Sequence, residues 1–503
     1  MSKTDLADRI KGCWIGKGIG GTLGMPFEGC QGPLDISMNN ISVRMLPNDD
    51  LDLQLLWIHV LETHGTSTRA RHLASAAAEN YRCYPDEYGI ARWNTARGWE
   101  PPLTGLHNNA FGDGMGAAIR SEIWACIAAE RPALAAALAR EDALVDHFGD
   151  GVYGEMFLAA LESALFSGVS LDEAADRALR LIPGDSRLAT ALRRVRGEAA
   201  DALSTMEILH RREQEFPSEN FTDVVLNLCR ILAALLNGKG NVNQTLLEAV
   251  ACGGDTDCTG ATCGSILGIL HGADGFAGKL RALAGTDLSM HPSLRGLGLP
   301  QTLDDLTRRC LALHGQWSTL PDAPPPDTTP SDAPRPEDPH PWLVLRIPVE
   351  DSFSDHSDRL SRIARNPADF PDLLHCAAGI HFDLHDRIRH PGDILYLFTW
   401  IRVDISCRAQ LMACATAGIT VWMDGQQILN YHGRRTPVPA FHRTEGGGTV
   451  PVSLEAGRQH ALCIRLHSDS RPLRGCLAIG DGEDRYLHPV HVEIPGLQKG
   501  GTP

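Results

Sequence analysis

The sequence predicts a multidomain protein in which an all-α domain is followed by a β-sandwich, and three features of the chain lead to that fold class. From Leu6 to about Leu313, apolar residues and alanines recur at helical spacing, three and four residues apart. From Pro321 to Pro341 the chain is crowded with proline, aspartate and threonine, including Pro324-Pro325-Pro326, a composition that stays extended and separates domains. Beyond it the apolar residues come in short runs, such as Trp342-Leu343-Val344-Leu345 and Ile419-Thr420-Val421-Trp422-Met423, divided by turn residues. The expected domains are 1–315 for the helical part, 316–341 for the linker and 342–497 for the sandwich.

In the helical part, glycine stands at every fourth position of the first helix: Gly12, Gly16, Gly20 and Gly24. Residues four apart share a helical face, so this stripe admits another backbone at close range. Lys11 and Lys17 argue for a partner helix inside a soluble bundle rather than a membrane dimer. Pro26 ends the helix and leaves Glu28 on a loop. Pro47-Asn48-Asp49-Asp50 precedes the helical face of Leu51, Leu55 and Ile58; one acidic residue there is a helix cap, and two adjacent aspartates exceed what a cap needs.

Residues from about Cys83 to Phe111 read as a loop, either the wall of a ligand cleft or a segment packed on the core. Gly112-Asp113-Gly114-Met115-Gly116 then runs toward a helix, where backbone N–H groups suit an anion such as a phosphate, although the Gly-Lys-Ser/Thr ending of a P-loop is missing. His147 lies in an alanine- and leucine-rich helical region, usually a structural setting. The stretch Cys252-Gly253-Gly254-Asp255-Thr256-Asp257-Cys258-Thr259-Gly260 sets carboxylates among hydroxyls and thiols ahead of the apolar Ala261–Leu270, a crowding of ligand atoms that suits a divalent cation. Gly260, Gly264, Gly268 and Gly272 repeat the first helix's stripe, so the two helices are expected to be neighbours. In the strand-rich part, Asp424-Gly425 marks a tight hairpin turn, and short strands over a region this long argue for a β-sandwich.

Composition narrows the function. A chain of 503 residues has length for two cores, and a hydrophobic fraction of 43% with 21% charged residues is that of a folded soluble protein. The net charge of -16 argues against a nucleic-acid partner, whose backbone is held largely by positive charge. The 14 cysteines include no CxxC pair and read as reduced core thiols. The N-terminus lacks the pattern of a secretory leader, and no apolar run approaches the ~18 residues of a membrane helix. A cytoplasmic location without a membrane partner is expected, and the sequence leaves the oligomeric state open.

Gly20-Gly21-Thr22-Leu23-Gly24-Met25-Pro26-Phe27-Glu28, Asn48-Asp49-Asp50 and Gly253-Gly254-Asp255-Thr256-Asp257, in this order, resemble the ADP-ribosylglycohydrolase family over roughly residues 6–310. The resemblance implies an all-helical, magnesium-dependent hydrolase that removes ADP-ribose from modified side chains. It implies metal ligands at Asn48, Asp49, Asp50, Asp255, Asp257 and Cys258, and a catalytic set of Glu28, Asp50 and Asp257. It places the substrate at Gly112, Gly114, Met115 and Gly116, the segment that resembles the family's substrate loop, and His147 is taken with them. Three positions depart from the family pattern: Asn48 stands for a threonine or serine, Gly21 for a frequent aspartate, and Cys258 for a threonine that helps hold the metal. A thiol is a soft ligand and Mg2+ a hard ion, so one Mg2+ site is expected and a second stays open.

Hydrolysis at a ribosyl C1 passes through an oxocarbenium-like state and needs a nucleophile on one face and leaving-group assistance on the other. A carboxylate bound to a cation is a poor base, which favours Glu28 as the general base. Two alternatives stand beside the ADP-ribosyl hydrolase. Ala417 to Ile428 resembles the jelly-roll accessory modules of carbohydrate-active enzymes, which suits a furanoside glycosidase acting on a glycan or small riboside and a carbohydrate bound at the second domain. The departures at Asn48 and Cys258 suit a non-catalytic ADP-ribose binder or structural member of the same fold.

Overall fold

The computed structural model describes residues 2–37, 46, 49–82, 86–218, 220–283, 287–288, 290–320, 341–352, 355–370, 373–377, 380–432, 441, 448–468, 472–481 and 490–495. Most of the expected linker and Asn48 lie outside them, as do the side chains of Asp49 and Asp50. The chain divides into two compact units: Met1–Cys83, Asn94–Leu106 and Phe111–Ser331 form one, and Tyr84–Trp93, His107–Ala110 and Asp332–Pro503 the other.

The helices up to residue 317 are α1 (Lys3–Gly24), α2 (Asp49–His64), α3 (Ala70–Asn80), α4 (Asp86–Thr95), α5 (Leu103–Leu106), α6 (Ser121–Ile127), α7 (Pro132–Ala143), α8 (Asp150–Phe166), α9 (Leu171–Leu179), α10 (Arg187–Ala200), α11 (Thr205–Glu215), α12 (Val224–Gly238), α13 (Val242–Ala251), α14 (Thr256–His271), α15 (Gly278–Leu283) and α16 (Leu303–Trp317). Within the stretch read as a loop, α4 and α5 are helical. The buried face of α4, Ile90, Ala91 and Asn94, is masked in sequence by the polar and aromatic residues between them.

Helix α1 starts on Ser2, whose Oγ accepts the Asp5 N–H at 3.1 Å. It packs antiparallel on α14 through the two glycine stripes. A Cβ on Gly16 would stand 1.9 Å from the Gly264 carbonyl oxygen, and one on Gly20 1.9 Å from that of Gly260. Any side chain there would push the backbones apart, which is why the stripes are glycine. The expectation that these two helices are neighbours holds.

A buried polar knot ties this pair to its surroundings. Lys17 Nζ donates to Glu122 Oε1 at 2.9 Å and to the Ile119 carbonyl at 2.8 Å. Gln54 Nε2 donates to Glu122 Oε2 at 2.8 Å, and Ser265 Oγ to Glu122 Oε1 at 3.0 Å. One carboxylate thereby joins α1, α2, α6 and α14. Removing one partner of such a buried ion pair costs about 3–5 kcal/mol, because the other charge stays uncompensated. On α8, burial and then the Glu122 carboxylate push the Glu162 carboxyl well up, against the pull of Lys17.

The second unit holds two antiparallel sheets. Strands β1 (Pro341–Ile347), β2 (Leu374–Ala377), β4 (Ile394–Val403), β6 (Ile419–Met423), β7 (Gln426–Tyr431), β9 (His460–His467) and β11 (Val490–Glu493) make one, in the order β2-β1-β4-β9-β6-β7 with β11 paired to β4. Strands β3 (His381–Asp383), β5 (Cys407–Ala415), β8 (Thr449–Leu454) and β10 (Arg474–Gly480) make the other, in the order β3-β10-β5-β8. Leu395, Leu397, Val421 and Ile464 of the first sheet share one buried cluster with Leu411, Ala413, Val452 and Leu477 of the second, which is a sandwich core. Helix α17 (Ser357–Arg365) sets Ile363 among Leu345, Tyr396 and Phe398 on the far face of the larger sheet. With both faces covered, β4 reads as the apolar run Ile394 to Ile401, interrupted by Thr399, instead of alternating. Asp424 and Gly425 form the two-residue turn between β6 and β7, both at positive φ, as its backbone twist requires.

Candidate active site

Helix α13 ends at Ala251, and Gly253 and Gly254 then take φ of +70° and +80°, a left-handed path open to glycine. Asp255 is the N-cap of α14, which begins at Thr256, ahead of the apolar run that marks it in sequence. Its first turn, Thr256 to Thr259, is polar yet buried. The loop after α1 is stitched to the glycine turn: the Gly29 N–H donates to the Gly254 carbonyl at 2.9 Å and the Gly254 N–H to the Cys30 carbonyl at 2.8 Å. Gln31 and Gly253 pair as an antiparallel bridge. Glu28 is exposed at the end of a 3-10 turn, Met25–Phe27, next to this stitch.

One ligand atom each of Asp255, Asp257 and Cys258, all buried, lie within 4.8 Å of one another. That set of two carboxylates and a thiol suits a divalent cation. The neighbouring hydroxyls are turned elsewhere: Thr259 Oγ1 donates to the Thr256 carbonyl at 3.3 Å and Thr256 Oγ1 to the Gly24 carbonyl at 2.8 Å. The backbone of Asp49 and Asp50 opens α2.

Two polar residues that the sequence reading passed over support the turn. Asn227, inside the apolar α12, accepts the Asp255 N–H at 3.3 Å and an Arg230 Nη1–H at 3.0 Å on its Oδ1. Its Nδ2 donates to the Phe221 and Asp223 carbonyls at 2.8 and 2.9 Å. Arg230 completes the clamp with Glu213 at 2.9 Å. Asn and Arg three apart in Val224-Val225-Leu226-Asn227-Leu228-Cys229-Arg230 were the available signal.

The segment Phe221–Asp223 carries the connection on to the glycine loop. Gly114 pairs with Asp223 as an antiparallel bridge, and the Val224 N–H donates to the Asp113 carbonyl at 3.0 Å. The Phe148 N–H donates to the Gly112 carbonyl at 3.0 Å, and Met115 is buried. His147 is fully buried and holds the loop from behind: its Nε2 accepts the Ala117 N–H at 3.2 Å, so Nδ1 carries the proton and donates to Asp146 Oδ1 at 2.6 Å. Arg120 bonds both Asp142 and Asp146 at 2.9 Å through Nη2, and its Nη1 donates to the Gly116 carbonyl at 2.8 Å. Burial alone would raise the Asp146 carboxyl, but Arg120 and then His147 outweigh it and hold Asp146 below the usual carboxylate range.

The outer side of the same loop is acidic. Asp113, Asp150 and Asp223 stand 3.9, 3.9 and 3.7 Å from the Arg187 guanidinium, three carboxylates around one cation. Burial, then the Asp223 charge, raises the Asp113 carboxyl, and burial raises that of Asp150. A phosphate would meet repulsion on that side, whereas sugar hydroxyls would find acceptors.

An all-helical domain with a carboxylate and thiol cluster at the start of an inner helix, behind a glycine turn stitched to the loop after the first helix, defines the class of site. The chain belongs to the ADP-ribosylglycohydrolase family, whose model matches residues 2–317. Among solved structures it is similar to an ADP-ribosylglycohydrolase-related protein complex at 21% identity and a TM-score of 0.46, with 62% of this chain and 99% of that chain covered. It is also similar to an anti-sigma factor domain-containing protein from Clostridium clariflavum at 13% identity and a TM-score of 0.20, covering 32% and 49%. A comparison with curated proteins found no match. Family membership supports a hydrolase of glycosidic bonds, in a family that depends on metal. No helix among the described residues is long and apolar enough to cross a membrane.

Proposed function

We propose that the protein hydrolyses the bond between a ribosyl C1 and its substituent in an ADP-ribosyl or related ribosyl substrate, with Mg2+ as the first cation. The observation that supports this reading is the backbone stitch of Gly29–Gln31 to Gly253–Gly254, which ties the loop that carries Glu28 to the turn ahead of the buried Asp255 and Asp257. Asp255 and Asp257, with Asp49 and Asp50 from the start of α2, would hold the cation. Bound there, it supplies positive charge beside the ribose hydroxyls and the attacking water.

The remaining roles fall to the chain itself. Glu28 is exposed and lies outside the set of Asp255, Asp257 and Cys258, and it takes a proton from the attacking water. The water adds to C1 as the bond to the aglycone breaks, and the aglycone leaves with the electron pair and takes up a proton. The Gly112–Gly116 loop, fixed by His147 and Arg120, positions the sugar, and Asp113 accepts from its hydroxyls.

One panel tests the reading: arginine-linked and serine-linked ADP-ribose, free ADP-ribose derivatives and a chromogenic ribofuranoside, each with and without Mg2+. Metal-dependent release of sugar from the ADP-ribosyl substrates supports it. Turnover of the plain ribofuranoside alone would select a furanoside glycosidase, and metal binding without any release a binder.

A further inference from the structure

The ligand set on α14 does not match the ion assigned to it above. Mg2+ binds hard oxygen in near-octahedral geometry, and the third donor beside Asp255 and Asp257 is the sulfur of Cys258. The Thr259 hydroxyl donates to the Thr256 carbonyl at 3.3 Å inside the same buried turn. Thr256 is likewise committed to Gly24.

We infer that the position formed by Asp255, Asp257 and Cys258 selects a thiophilic divalent cation of the Zn2+ class over Mg2+. This rests on the metal-site reading above and concerns only the side of the site that Cys258 lines. Binding forms a sulfur–metal bond and breaks the S–H bond of Cys258, and the proton passes to solvent. The two carboxylates offset the charge of the ion, and the thiolate supplies the softness that Mg2+ does not use. Cys258 itself is 8% exposed.

The test reads the metal directly. Metal-stripped full-length protein is titrated with Zn2+, Co2+ and Mg2+ by calorimetry, with near-ultraviolet spectra of the Co2+ form and X-ray absorption of the Zn2+ form. The expected result is one equivalent of Zn2+ bound at least about tenfold more tightly than in Cys258→Thr. A sulfur-to-cobalt charge-transfer band should be present in the wild type and lost in that variant. A sulfur neighbour at about 2.3 Å from zinc needs no variant, and so decides the matter even where Cys258→Thr fails to fold. Cys30→Ser must keep the band, since Cys30 is an exposed thiol on the adjoining loop. Mg2+ binding in preference to Zn2+, or an oxygen-only zinc shell, would overturn the inference and leave the metal-site reading standing. Wild-type protein that binds none of the three ions would overturn both.

Discussion

At the scale of single residues, the base proposed at Glu28 is exposed, whereas the metal ligands proposed at Asp255, Asp257 and Cys258 are buried. Glu28→Gln is expected to lower kcat by about 10²–10⁴-fold, the usual worth of a general base, with the metal-induced rise in Tm unchanged. Loss of that rise together with activity would place Glu28 among the ligands instead. Lys17 and Glu162 test the buried knot from opposite sides. Lys17→Met strands the Glu122 carboxylate and should cost about 3–5 kcal/mol in denaturant unfolding. Glu162 carries the opposite sign of pH dependence from a salt-bridged carboxylate. Its folded pKa lies well above the ordinary glutamate value, so the native state holds a proton the unfolded chain has released, and stability falls as pH rises through that window. Glu162→Gln should flatten this fall in unfolding free energy measured from pH 5 to 9; an unchanged slope would contradict the assignment. These residues were visible in the sequence as charges on apolar helices, but which charge met which was not.

At the scale of elements, the pairing of α1 with α14 organises the helical domain. Gly16→Ala puts a methyl carbon 1.9 Å from a backbone oxygen that has no room to yield, so destabilisation should reach about 3 kcal/mol or more. Gly197→Ala on α10, where no atom lies within 4 Å, is the control, and should be neutral or stabilising by up to about 1 kcal/mol. Equal losses in the two variants, read from urea midpoints, would show that the stripe is not a contact. The stripes were legible because close backbone approach leaves only glycine, a strong restriction on sequence. The start of α14 was harder to read, since a helix turn whose side chains line a site looks polar. In the same way α4 reads as a loop in sequence, its buried face being hidden among aromatic and polar residues.

At the scale of the whole molecule, the helical unit and the sandwich each have their own core, so a ligand of one should stabilise that one. Calorimetry with saturating cation should raise the transition of the helical unit by about 2.7 kcal/mol at 100 times Kd, and leave the sandwich transition in place. Asp257→Asn should abolish both this shift and turnover. The sequence by itself determined the succession of a helical and a strand-rich domain, the glycine faces and the acidic motifs, because periodicity, backbone crowding and clustered charge are local properties written in neighbouring residues. Only the tertiary structure decided that ligand atoms of Asp255, Asp257 and Cys258 lie within 4.8 Å of one another, and that Asn227 and Arg230 brace their turn. It also turned His147 into the support of a loop. Those outcomes depend on which way a side chain leaves its helix and what the next helix offers it, and both are fixed by packing between segments far apart in the chain.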